Sequence, residues 1–112
     1  MKRNQKFNFA KEAAFEDLGG GVKRKILAYG DALMQVEVHF EKGAVGVMHS
    51  HPHSQLTHVL SGAFEFTIGN ETKTVSKGDV LYKTPNVPHG CVCLEAGVLL
   101  DTFSPLREDF LA

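Results

Sequence analysis

Between Met34 and Phe40 the apolar residues Met34, Val36, Val38 and Phe40 alternate with Gln35, Glu37 and His39. A period of two puts successive side chains on opposite faces of an extended chain, so this segment reads as a strand with one buried face. Similar signals recur at short spacing. Glu41-Lys42-Gly43 reads as a turn; Phe64, Phe66 and Ile68 then alternate with Glu65 and Thr67, and Gly69-Asn70 is a hairpin signal ahead of Thr72, Thr74 and Val75. Ser76-Lys77-Gly78-Asp79 marks another turn. Val80 to Tyr82, Gly90 to Leu94 and Val98 to Phe103 are runs of β-branched, apolar or aromatic residues, divided by Pro85 to Pro88 and by Glu95-Ala96-Gly97. This punctuation predicts an all-β chain, an antiparallel sandwich or jelly-roll barrel. The one helical expectation is a short segment from Lys11 to Leu18, stopped by Gly19-Gly20-Gly21. Those glycines lack the Gly-Lys-Ser/Thr that completes a phosphate cradle, and they read as a turn.

A chain of 112 residues can bury one modest core. A single domain over residues 1–112 is expected, its core at about 22–104, flanked by an N-terminal arm and a C-terminal tail. The polar ends, Met1 to Lys6 and Arg107 to Ala112, are where fraying is expected. Hydrophobic content of 43% with 22% charged residues belongs to a folded chain. A formal charge of −1, with both signs interleaved, leaves no basic face for nucleic acid. The basic start is followed by no apolar h-region, and nowhere is there a run long enough to cross a bilayer, so a cytoplasmic protein without membrane contact is expected. Cys91 and Cys93, two apart on one strand, are badly placed to bridge each other, and free thiols suit that compartment.

Four of the six histidines lie between Gly43 and Gly62, in GAVGVMHSHPHSQLTHVLSG. On an extended strand His49 and His51 project to one side about 7 Å apart, near enough to converge on one ion, and Gln55 shares their parity. His89 follows the turn Thr84-Pro85-Asn86-Val87-Pro88, whose prolines hold it in place on a neighbouring strand. Three imidazoles and an amide oxygen form a donor set for a divalent transition metal: zinc, nickel, iron, manganese or cobalt. A solvated strand carrying scattered surface histidines is the plainer alternative. Among the others, His53 is either a support or substrate contact or a partly exposed polar residue, His58 has the opposite parity and reads as structural, and His39 reads as solvated. Cys91 and Cys93 share the parity of His89 and read as small buried hydrophobes, with thiolate ligation as the alternative.

These intervals resemble the cupin superfamily. Its first motif places a Gly, a His-x-His pair, a Glu and a closing Gly where this chain has Gly43, His49, His51, Gln55 and Gly62. The second resembles Gly78 through Pro85 to His89, with one extra residue between Gly78 and Pro85 and with Cys93 where the family often has Asn. The resemblance implies a double-stranded β-helix. Replacing Glu by Gln55 leaves the ion's charge less neutralised, favouring Lewis-acid chemistry and an anionic ligand over oxygen activation.

Near the C-terminus, Asp101 and Phe103 share one strand face and Arg107 follows Pro105. If that face looks inward, the site gains a proton carrier, a packing ring and a fork for a carboxylate. Otherwise Asp101 is a surface residue. Phe15 to Gly21, His49 to His53, Pro85 to Gly90 and Asp101 to Pro105 together resemble the KdgF-like pectin-degradation cupins. That resemblance implies His49, His51, Gln55 and His89 as metal ligands and Asp101, Phe103 and Arg107 as catalytic residues. It implies conversion of a 4,5-unsaturated monouronate from pectin or alginate to the linear 5-keto-4-deoxyuronate, in a homodimer. A non-catalytic acidic-sugar sensor and an iron-dependent dioxygenase are the alternatives.

Overall fold

A computed structural model describes residues 2–111. Eight strands follow a single 3-10 turn, Ala10–Glu12: β1 Glu16–Gly19, β2 Val22–Tyr29, β3 Met34–Phe40, β4 Val45–His49, β5 Ser54–Ile68, β6 Glu71–Ser76, β7 Val80–Lys83 and β8 His89–Ser104. The chain is all-β, as its alternation predicts. Where a helix was expected over Lys11 to Leu18, the chain turns once and then runs extended into β1, because Gly19 and Gly20 turn it back onto β2 and Glu16 to Gly19 pair there instead.

Every strand pair is antiparallel, and β5 and β8 lie side by side along nearly their whole lengths. Around this pair the order is β1-β2-β3-β8-β5-β6, with β4 added to β8 and β7 to β5. Each long strand therefore serves two partners in succession, β8 taking β4 and then β3, β5 taking β7 and then β6. The change of partner falls at a bend. Register shifts cluster between Val59 and Phe64, where Gly62 has φ +80° and crosses Gly97; a Cβ on Gly62 would lie 2.6 Å from Gly97 Cα. Glu95-Ala96-Gly97 thus interrupts the pleat without ending the strand.

Two apolar clusters fill the interior. Phe40, Val59, Phe64, Phe66 and Leu99 pack at one end, and Met34, Val36, Phe103 and Leu106 at the other. The C-terminal tail is no frayed end: Leu106 is buried and Glu108–Leu111 form a 3-10 turn whose Phe110 packs edge-on to Phe103 at 5.7 Å. The N-terminal arm is tied down too, with the Asn4 amide donating to the Tyr29 carbonyl (2.8 Å) and Arg3 pairing with Glu108 (3.0 Å). The expectation for Met1 and Ala112 lies outside the described residues.

Candidate metal centre and catalytic pocket

A cavity of about 250 Å3 opens beside the bottom of β5 and β8, lined by His49, Gln55, Lys83, His89, Asp101 and Arg107 among others. It is smaller than most drug-sized sites, of roughly 300–1,000 Å3, and suits a single small ligand.

His49 ends β4, His51 sits in the turn that follows, and Gln55 opens β5. The two histidines therefore converge across a turn, where a single extended strand was expected. His89 opens β8, opposite His49 in the ladder. The proline turn fixes it as anticipated. Asn86 stands at φ +66° and donates its amide to the His51 carbonyl (2.7 Å), while the Gly69 amide donates to the Pro88 carbonyl (2.8 Å). The candidate ligand nitrogens of His49, His51 and His89 lie within 4.8 Å of one another, and the ring centroids of His49 and His89 are 4.4 Å apart.

The hydrogen bonds select the ring atoms. Nδ1–H of His49 donates to the Val47 carbonyl (2.8 Å) and Nδ1–H of His89 to the Val87 carbonyl (3.0 Å), leaving Nε2 of each as an acceptor. His89 Nε2 is buried without a partner. His51 Nε2 lies 2.8 Å from Gln55 Oε1, near the ~3 Å separation of two neighbouring ligand atoms each about 2.1 Å from an ion. Burial pulls the His89 imidazole down to about 4 and shifts His51 in the same direction. Neutral rings are the metal-binding form. The orphaned nitrogen, the backbone-fixed tautomers and the nitrogen-oxygen donor set all fit a divalent ion.

Asp101 and Phe103 face inward from β8, at 9% and 3% exposure. Phe103 lies edge-on to His51, with ring centroids 5.7 Å apart. Arg107 stacks over Phe110 at 4.3 Å, and its Nε and Nη2 donate to the two carboxylate oxygens of Asp109 (3.0 and 2.8 Å). That clamp holds one edge of the guanidinium and leaves Nη1 and one Nη2 hydrogen for an incoming carboxylate. Neither Asp109 nor Phe110 stood out in the sequence.

Two further residues escaped the sequence reading. Thr57 and Lys83, at 0% and 2% exposure, join Gln55 to Asp101 in one hydrogen-bonded chain. A signal for Lys83 existed: on β7 it shares the inward parity of Leu81, while Val80 and Tyr82 face out.

The remaining histidines and cysteines lie outside the three-histidine cluster, although His53 packs edge-on to His51 at 5.3 Å and Cys91 lines the cavity. His53 Nε2–H donates to the Leu106 carbonyl (3.2 Å), pinning the tail, and His58 is exposed. His39, read as solvated, is half-buried against Glu37 (3.0 Å) and edge-on to Phe15. Cys91 and Cys93 are free and buried, and burial pushes the Cys91 thiol up to about 11, which keeps it protonated and apolar in behaviour.

A bent double-strand barrel with imidazoles converging at one end is a cupin, and residues 36–103 match the cupin-domain family model, so the chain belongs to the cupin family. Within it, the chain is 49% identical over 102 residues to the pectin degradation protein KdgF of Dickeya dadantii, covering 89% of this chain and 93% of that one. The solved structure of KdgF from Halomonas superposes with a TM-score of 0.89 at 38% identity, covering 96% of this chain and 99% of that one. An RmlC-like cupin from Shewanella frigidimarina superposes with a TM-score of 0.93 at 43% identity, covering 98% and 99%. The KdgF-like character read from the sequence is thereby upheld.

Proposed function

We propose that this chain is a metal-dependent enzyme of pectin or alginate breakdown that opens the ring of 4,5-unsaturated monouronates, giving the linear 5-keto-4-deoxyuronate. The observation that carries this reading is a cluster of three imidazoles, two of which, His49 and His89, line one small cavity together with Gln55, the inward carboxylate of Asp101 and the guanidinium of Arg107. Its relatives named for pectin degradation support the substrate class.

The conversion is an isomerisation and needs no co-reactant. The anomeric hydroxyl loses its proton, the bond between C1 and the ring oxygen breaks, C1 becomes an aldehyde, and C4 gains a proton as C5 becomes a ketone. His49, His51, Gln55 and His89 would hold a divalent ion, which would supply Lewis acidity for the charge that develops as the ring opens. Asp101 takes the anomeric proton and returns one to C4. Arg107 receives the carboxylate on its free edge, and Phe103 packs against the sugar and excludes water. The protein is further proposed to act as a cytoplasmic homodimer.

The test is to add purified protein to the unsaturated monouronate from an exhaustive pectate- or alginate-lyase digest and follow the absorbance of the conjugated double bond. Decay well above the spontaneous rate, abolished by a chelator and restored by a divalent ion, is expected. Decay at the spontaneous rate overturns the proposal. Tight binding without turnover would make the protein a sensor, and oxygen uptake with iron would make it a dioxygenase.

A further inference from the structure

β7 is built against the usual pattern. Val80 and Tyr82 face solvent at 55% and 65% exposure, while Lys83 turns inward at 2%. A buried ammonium is costly unless something answers its charge. Lys83 takes part in none of the ion pairs among the described residues. Its Nζ stands 4.5 Å over the Phe66 ring and donates to Thr57 Oγ1 at 2.8 Å.

Thr57 Oγ1 receives a second donor, Gln55 Nε2, at 3.2 Å, and lies 2.6 Å from Asp101 Oδ1. A hydroxyl has one proton and two lone pairs. With N–H donors from Lys83 and Gln55 on the lone-pair side, its single proton points to Asp101. Two consequences follow. Asp101 Oδ1 is committed as an acceptor, so the mobile proton belongs on Oδ2. Gln55 turns its nitrogen to Thr57 and its oxygen to His51, the orientation a metal ligand needs.

We propose that Lys83 and Thr57 are a positioning pair, which fixes both the oxygen of Asp101 that carries the proton and the atom of Gln55 that faces the histidines. This rests on the reading of Asp101 as proton carrier and Gln55 as ligand.

The test sets shape against chemistry. Thr57→Val keeps the side-chain shape and removes the hydroxyl; Thr57→Ser keeps the hydroxyl and removes a methyl. Lys83→Met keeps length and removes charge. For Thr57→Val and Lys83→Met the expected result is a 10- to 100-fold fall in kcat, on the order seen when groups supporting a metal site are removed. KM stays within about threefold, and Thr57→Ser retains most of the parent kcat. In a cobalt titration without substrate, Thr57→Val binds more weakly and its visible spectrum differs from the parent's, because Gln55 is free to turn. Lys83→Met still unfolds in one cooperative transition, so its low kcat belongs to folded protein. The proposal is overturned if Thr57→Val and Lys83→Met keep parental kcat and cobalt binding, or if Thr57→Ser is as impaired as Thr57→Val. Should those variants be impaired while Asp101→Asn keeps full activity, the proton-carrier reading beneath the proposal falls. An inactive Asp101→Asn beside fully active Thr57→Val and Lys83→Met removes the positioning pair alone.

Discussion

Asp101→Asn isolates proton transfer from structure, since an amide oxygen can still accept from Thr57 at the 2.6 Å position. The expected outcome is unchanged metal content by elemental analysis and a kcat lower by about 10²–10⁴-fold, the range for a lost general acid–base group. Arg107→Lys tests a different contribution. The guanidinium is held flat between Phe110 and the Asp109 clamp so that one edge stays free, and lysine offers no planar fork. KM for the uronate should rise by about tenfold, with kcat falling less; equal falls in kcat and kcat/KM would show that Arg107 acts on the transition state instead. His49, His51, Gln55 and His89 stood out through their spacing and the proline turn, whereas Asp101 and Arg107 stood out through the resemblance to the KdgF-like cupins. Thr57 and Lys83 did not, because threonine and lysine are ordinary in strands. Their roles arise only when β7, β5 and β8 align, bringing Lys83 opposite Gln55 and Thr57 opposite Asp101.

Both long strands depend on one crossing. At Gly97 an added Cβ would lie 2.7 Å from Gly62 Cα, and at Gly62 the atoms met are all backbone, so nothing flexible can yield. Gly97→Ala should cost about 2–4 kcal/mol, the scale of strain that cannot relax, read as a fall in the urea midpoint at unchanged slope. Gly19→Ala is the comparison: φ is +81° but nothing lies within 4 Å, so only the conformational cost of roughly 1 kcal/mol applies. This crossing also explains how the elements were read. Strands with clean alternation, such as β3, were legible, and so were the Gly69-Asn70 and Ser76 to Asp79 turns. Glu95-Ala96-Gly97 looked like a break because composition alone cannot separate a bend within a strand from a turn between two. β2 was not assigned, since Lys23, Arg24 and Lys25 hide its alternation. Their stems pack on neighbours: Lys23 and Lys25 lie over Phe15, and Arg24 stacks on Phe110 at 3.8 Å.

At the scale of the whole molecule two properties remain, one of surface and one of charge. β4 pairs only with β8 among the described residues, and its uncharged Val45, Val47 and Met48 are exposed. An unprotected apolar edge of this kind invites a second copy, so light scattering should give twice the 12.3 kDa chain mass, and Val47→Lys should shift it toward monomer. Charge enters through the histidines. In the metal-free chain His89 titrates near 4 when folded but at its ordinary 6.5 when unfolded, because burial penalises the imidazolium. The unfolded state therefore binds the proton first as pH falls. Stability is full above 6.5, drains away between 6.5 and about 4, and falls no further on this account once both states are protonated. Discounted for solvent screening, this contributes on the order of 1–3 kcal/mol. His51, shifted in the same direction, steepens the slope. Thermal unfolding of chelated protein from pH 8 to 4 should show this decline, and His89→Gln, which cannot take up a proton, should flatten it; an equally steep decline in that variant would assign the acid sensitivity to other groups.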